Sequence, residues 1–406
     1  MPFPKIAIIG AGPGGLTLAS MLQCSGIKPT IFELDKDRSS RDQGGIIDLH
    51  ADGGQLALKE AGLFEKFQEI IIPSAEALKL MKSNGEVVWD ENNSAAAPPE
   101  TSRDRPEVDR SNLRNLLLDA VDPDTIHWNH KLLQVEPVGA KYNLHFSDSI
   151  ETGFDLVIGA DGAWSKVRPL VSNETPYYSG ITFIELQAHD VSVKKPWLNE
   201  FIGSGSFFMF DEGLALIGQQ NSFDRIRIYL GVRQPESWMD ECGINWEEPK
   251  SARGVLAESY FGDCHGDLKR VILEEATDSL IVRRLYMLPV GLSWEMRSGV
   301  TLLGDAAHLM TPFAGVGVNV AMVDAMELAR EIMRWKDAFV DGDATALDEA
   351  VKVYEERMFV RAKKNMEKTY HGLVSHFSAG GIDERVGLLK KRARMLEERR
   401  KEQVKA

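Results

Sequence analysis

Gly10, Gly12 and Gly15 stand at Gly-x-Gly-x-x-Gly spacing, and Glu33 ends the next apolar run 18 residues further on. The first glycine permits a tight turn, the second lets a pyrophosphate approach the backbone, and the third lets helix and strand pack closely. The helix start adds unsatisfied N–H groups and partial positive charge, which suit phosphate. Glu33 can accept a hydrogen bond from a ribose 2′-hydroxyl and would repel a 2′-phosphate. These four residues therefore point to a dinucleotide held by its adenosine half, FAD or NAD and not NADP. Only one such fingerprint occurs in the chain. If FAD occupies it, any nicotinamide must bind elsewhere and transiently.

Two further clusters carry polar residues at the ends of apolar runs. Asp161-Gly162 follows the run 154–159, and taken alone it reads as a turn after a buried strand. Gly304-Asp305-Ala306-Ala307-His308 follows the run 300–303 and continues through Pro312, Gly315, Gly317 and Asn319. An Asp at the carboxyl end of a parallel strand faces the crevice where such sheets bind ligands. The glycines after it open a helix whose N-terminus can face a negative group. His308, inside this cluster, reads as structural. The nine histidines and three cysteines show no metal-ligand spacing, and no Ser/His/Asp nucleophile set is visible. No side chain is therefore assigned a catalytic step of its own.

Positioning these residues takes a strand over 5–9, a helix using Leu16, Leu18, Ala19 and Leu22, and a strand over 30–32. Together they make a βαβ unit of about 30 residues. Helical periodicity runs from Gln55 to Phe67, Asn84-Gly85 signals a hairpin, and residues 91–106 read as a surface loop. Arg110 opens a helix carrying Leu113, Leu116, Leu117 and Val121. From about 173 to 285 short alternating segments indicate an antiparallel sheet in a second lobe. Helices follow from about 317 to 335 and from Ala346 to about Gly372.

Composition sets the outer bounds. The 406 residues carry a formal charge of −14, which argues against general nucleic-acid binding. The chain shows no apolar run long enough to span a membrane and no secretory leader pattern, and the few scattered cysteines suit a reducing, cytoplasmic setting. Residues 390–406 hold eight basic and three acidic side chains, so this tail is positive against an acidic body. It could dock on that body, form an oligomer contact or lie solvated as a helix. No oligomeric state follows from these residues, and a monomer is the simpler expectation.

The three clusters, in this order and at these separations, resemble the group A flavoprotein monooxygenases of the para-hydroxybenzoate hydroxylase type. The likeness is nearest to the tetracycline-inactivating flavin monooxygenases, through Gly44-Gly45-x-x-Asp48-Leu49-His50, Arg110-x-x-Leu113-Arg114 and the stretch 304–315. The resemblance implies an α/β fold in which a doubly wound, Rossmann-like FAD-binding domain interleaves with an antiparallel substrate lobe, plus a long C-terminal helix. Its expected boundaries are 1–172 with 286–340, then 173–285, then 341–406.

By the same resemblance Gly10, Gly12 and Gly15 hold the FAD pyrophosphate, Glu33 the adenosine ribose and Asp305 the ribityl chain. Asp48 and Arg110 match family FAD contacts. Asp161-Gly162 matches a motif associated with FAD and NAD(P)H, and Arg41 a position associated with NADPH. Pro312, Gly315, Gly317 and Asn319 belong to the flavin motif, and the helix near Gly317 would aim its N-terminus at the flavin pyrimidine. The implied reaction uses NAD(P)H and O2 and hydroxylates an aromatic or polyketide-like molecule through a flavin C4a-hydroperoxide.

Substrate choice is expected in the second lobe. Gln187 and Arg227 lie at or near positions of polar substrate contact in the tetracycline-inactivating relatives, although Arg227 replaces a histidine there. An arginine at that place favours a carboxylate or phenolate, or else is an exposed strand residue. Phe207, Phe208 and Phe210 read as core, and Phe313, beside the flavin motif, as a pocket residue. Two rival functions are a related FAD-dependent reductase or halogenase and a non-catalytic flavin-binding regulator. None of the eight tryptophans sits in the halogenase motif Gly-Trp-x-Trp-x-Ile-Pro.

Overall fold

Five short strands form one parallel sheet in the order Val300–Leu302, Leu156–Gly159, Ile6–Ile9, Thr30–Phe32 and Ile126–His127. The three central strands are buried along nearly their whole length, as a sheet covered on both faces requires. The structure is a computed structural model and describes residues 3–40, 44–92, 105–275, 280–341, 343 and 345–405. Expectations for most of the loop 91–106, and for Arg41, fall outside the described residues.

The helix Pro13–Cys24 is buried from Gly14 through Leu22, and it packs against the helix Gly317–Arg334. Two glycines make the turn before it possible. Gly10 has φ +108°, and a Cβ there would sit 2.4 Å from the Ala160 carbonyl oxygen. A Cβ on Gly15 would stand 2.2 Å from the Gly10 carbonyl oxygen. Side chains at either place would push the first strand away from its helix or from the strand Leu156–Gly159.

Contacts divide the chain into two units. The first comprises residues 1–72, 104–177 and 286–370, and the second residues 73–103, 178–285 and 371–406. The first unit holds the parallel sheet, an antiparallel meander of Gln134–Val138, Lys141–His145 and Ile150–Phe154, and the pair Ile46–Asp48 with Glu107–Asp109. The second is built on a seven-stranded sheet, ordered Leu280–Met287, Tyr177–His189, Arg225–Arg233, Leu214–Asn221, Ser206–Asp211, Leu78–Met81 and Val87–Asp90.

Several expected boundaries shift. The hairpin around Asn84-Gly85 forms, with Gly85 at φ +92°, but its strands join the second unit's sheet and not the FAD-binding segment. The helical stretch expected from 341 onward is shared, because the first unit keeps the chain through Tyr370. Gln55 to Phe67 is two helices, Gly54–Glu60 and Phe64–Gln68, since Gly62 adopts φ +70° between them. Phe154 ends the meander and does not enter the strand Leu156–Gly159. The long helix Ala346–His376 is followed by a second, Gly381–Lys405, which carries the basic tail.

One face of the large sheet packs on helices through Ile184, Leu186, Phe207, Met209, Ile228 and Leu230. Strand alternation sends Glu185, Gln187, Arg227 and Tyr229 to the other face.

Candidate functional site

Glu33, at the end of the second strand of the βαβ unit, is buried and turns back onto the glycine loop. Its carboxylate accepts the Ala11 N–H at 2.5 Å and the Asp35 N–H at 2.9 Å. Arg114, buried on the helix Arg110–Leu118, closes the same corner. Its Nε donates to the Ala11 carbonyl at 3.1 Å and its Nη2 to Asp35 at 3.0 Å, with Glu33 at 4.0 Å. The guanidinium also lies over the Trp128 ring, 5.6 Å from its centroid. Arg114 was visible in the sequence only as part of a motif, and its clamp on the loop was not. The contact spans more than a hundred residues, and no local pattern encodes it.

Asn319, near the start of the helix Gly317–Arg334, ties three segments together. Its Oδ1 accepts the His50 N–H at 2.7 Å and the Gly54 N–H at 2.9 Å. Its Nδ2 donates to the Asp48 carbonyl at 2.9 Å and to the Gly315 carbonyl at 3.5 Å. Asp48 ends the strand Ile46–Asp48, and its carboxylate meets His50 Nε2 at 2.9 Å with Arg105 3.8 Å away. Gly315, at φ +62°, lets the chain pass this carboxylate, since a Cβ there would stand 3.2 Å from Asp48 Oδ1.

Asp305 opens the short helix Asp305–His308 beyond the strand Val300–Leu302. Its side chain is exposed, yet enough protein surrounds it that desolvation raises its carboxyl pKa, against the pull of His308 and Arg110. Arg110 begins its helix with its stem against Gly44, where a Cβ would come 3.4 Å from Cδ.

Behind Asp305, His308 Nε2 meets Asp324 at 2.6 Å, and Asp324 also accepts from the Gly304 N–H and from two nitrogens of Arg361. Burial pulls the His308 pKa down, but Asp324 outweighs it and the imidazole stands above its ordinary value. Burial likewise pushes Asp324 up, and His308 and Arg361 bring it below the ordinary carboxylate value. The structural role expected of His308 takes the form of this ion pair.

Asp161 Oδ2 accepts the Lys166 N–H at 2.7 Å, while its Oδ1 is buried with no hydrogen-bond partner among the described residues. Desolvation raises its pKa. Gly162 follows at φ +75° with open space where a Cβ would go. Arg168, which sequence reasoning did not assign, is buried and donates to the Ala306 carbonyl at 2.9 Å and the Ala163 carbonyl at 2.6 Å. It thereby fixes the second cluster against the third.

In the second unit, Gln187 is the register partner of Arg227. Arg227 is buried and not an exposed strand residue: its Nη1 donates to Glu185 Oε1, and the pair is almost solvent-free. Gln187 Nε2 donates to the same Glu185 oxygen at 3.3 Å. Phe207 lies in the helix-covered core, whereas Phe208 and Phe210 share the opposite face with their rings 5.5 Å apart. In the first unit, Phe313 is buried on the turn Pro312–Ala314.

A protein-family model described as an FAD binding domain matches residues 4–252 and 279–369. The monooxygenase asqM of Emericella nidulans is 32% identical, over 93% of this chain and 97% of its own length. The monooxygenase penA of Penicillium thymicola is 33% identical, over 94% and 97% respectively. The chain belongs to the group A FAD-dependent monooxygenases. The solved structure of the tetracycline destructase Tet(55) superposes with a TM-score of 0.72, covering 97% of each chain at 19% identity, which supports the fold.

The geometry fits the cofactor of this monooxygenase family. The space over Gly12 is open, where a pyrophosphate would approach. The helices Pro13–Cys24 and Gly317–Arg334 begin without a side-chain cap and without an acidic residue in the first turn, so their N–H groups and dipoles meet an incoming anion unopposed. Asn319 departs from its expected place. Its amide has two donors and two acceptor sites, and all are directed at backbone. It therefore shapes the flavin motif and has no side-chain hydrogen bond left for a cofactor.

Proposed function

We propose that this FAD-dependent monooxygenase uses NAD(P)H and O2 to hydroxylate an aromatic or polyketide-like small molecule. Bound FAD supplies hydride acceptance and oxygen activation. Gly10, Gly12, Gly15 and the first turn of Pro13–Cys24 bind the pyrophosphate. Glu33, preset by the Ala11 and Asp35 amides, keeps acceptor capacity for the adenosine ribose. Asp305 and Arg110 hold the ribityl side, with Asp48, Pro312, Gly315 and Gly317 shaping the approach. Asp161 and Gly162 complete the cofactor site. The N-terminus of Gly317–Arg334 favours negative charge on the reduced ring. Gln187 and Arg227 are the substrate contacts of the second unit, and in the first unit Phe313 keeps water from the flavin motif.

The observations that carry this reading are the open approach over Gly12, the two uncapped helix starts and the exposed carboxylate of Asp305. The test uses purified, FAD-loaded protein and follows NADPH and NADH oxidation with O2 uptake against phenols, anthraquinones and tetracyclines. At least one ligand is expected to accelerate oxidation about tenfold or more and to gain one oxygen by mass. Protein that stays yellow but never consumes nicotinamide with any ligand would replace this reading with a flavin-binding regulator.

A further inference from the structure

Charge along the chain is segregated toward residues 390–406, whose eight basic and three acidic side chains give a balance of +5 and leave −19 on the rest. These residues lie on or beside the helix Gly381–Lys405, which packs on the strand Ser206–Asp211 of the second unit. Buried Ile382 and Val386 fasten its first turns, and Asp383 pairs with Lys82 at 3.2 Å. A helix completes a turn every 3.6 residues, so Met395, nine residues beyond Val386, stands on the opposite side. Leu388, seven residues before Met395, shares that outward face, and Lys391 lies between them. Leu388 is 54% exposed and Met395 49%. Lys390 and Arg394, one turn apart on the flank, are exposed as well, and exposed Glu398 follows as an acid. Among the described side chains, two apolar groups thus stand in water amid three cations.

We propose that this outward face is a docking surface for an anionic lipid bilayer. The helix lies in the plane of the headgroups, where Leu388 and Met395 enter the acyl boundary and Lys390, Lys391 and Arg394 meet anionic lipid groups. Charge alone would suit any acidic surface, the body of a second copy included. The apolar pair favours the bilayer, because a bilayer offers an apolar layer directly beneath its charges and an acidic protein surface does not. The acidic body does not prevent this approach, since charges more than about 8 Å away are largely screened at physiological ionic strength. The FAD-binding family model ends at residue 369, so this surface is independent of the cofactor reading.

The test sediments the FAD-loaded full chain with sucrose-loaded vesicles and reads bound flavin by absorbance. The vesicles are phosphatidylcholine alone, or phosphatidylcholine with about 30% phosphatidylserine. Binding to the anionic vesicles should be about tenfold tighter or more, and should largely vanish when salt is raised from about 0.1 to about 0.5 M. Each basic residue near such a surface contributes about fivefold, so Lys390→Glu/Lys391→Glu/Arg394→Glu should weaken binding about a hundredfold or more. Leu388→Ser/Met395→Ser should weaken it about tenfold and keep the salt dependence. Circular dichroism reports folding. If either variant does not fold, the chain ended after Leu389 decides, and it should stay in the supernatant.

Equal binding to both vesicle types, no binding to the anionic ones, or unchanged binding after charge reversal would each overturn the proposal. Unchanged binding of Leu388→Ser/Met395→Ser would do the same, since any acidic surface would then serve. So would light scattering that finds a dimer without lipid and a single chain after charge reversal, which would make this face an interface between copies.

Discussion

Asn319 and Asp305 belong to one motif and are tuned in opposite directions. Asn319 satisfies two buried backbone donors and two carbonyls, so Asn319→Ala strands the His50 and Gly54 N–H groups. Each unsatisfied buried group costs about 1–3 kcal/mol, and urea unfolding of the apoprotein should show a loss of about 3 kcal/mol. Asp305 contributes little to the fold. Desolvation raises its pKa, a sign that its surroundings disfavour its charge. Asp305→Ala should therefore leave apoprotein stability unchanged or higher, while the FAD dissociation constant rises about tenfold or more. Flavin retained on gel filtration reads the second effect, and wild-type retention would remove Asp305 from the cofactor site.

At the scale of elements, the His308–Asp324–Arg361 network joins the short helix after the strand Val300–Leu302 to two long helices. Its two titrations have opposite signs. The His308 pKa is raised, so its contribution is complete below its ordinary value of 6.5 and is lost as pH rises through the folded value. The Asp324 pKa is lowered, so its contribution holds above 3.8 and is lost as pH falls through the folded value. His308→Gln should therefore lower the urea midpoint most below the ordinary histidine value of 6.5, and the gap to wild type should narrow as pH rises. A gap that widened with pH would contradict a protonated His308.

The same network shows what sequence can and cannot convey. The glycine spacings were legible because the turn itself demands them, as the positive φ of Gly10 and the Gly15 contact with the Gly10 carbonyl show. The clamps of Arg114 on Ala11 and of Arg168 on Ala306 were not, because their partners lie 103 and 138 residues away. Glu185 drew no assignment from the sequence, because an acid in an alternating strand reads as solvated. Only its ion pair with Arg227, diagonally across on the neighbouring strand, reveals that it is buried and paired.

Over the whole molecule, charge is distributed as unevenly as the chain is folded. The −14 total includes a basic tail, and that tail belongs to the second unit with residues 371–406. What anchors the helix Gly381–Lys405 lies near its start: Ile382 and Val386 are buried, Asp383 pairs with Lys82 at 3.2 Å, and Glu384 receives Ser375 and His371. Further on, Lys390, Lys391, Arg394 and Met395 are all exposed. A helical end whose described side chains are exposed adds little stability, since most of a helix's stability in proteins comes from burying one face. Ending the chain after Leu389 should therefore leave the thermal midpoint within about 2 °C of the full chain, because about 1 kcal/mol corresponds to several degrees at most in a protein this size. FAD content should not change, and the shift should appear in isoelectric focusing, where loss of the tail moves the protein further to the acidic side. A fall in the midpoint of more than about 5 °C would mean instead that the basic end docks on the acidic body.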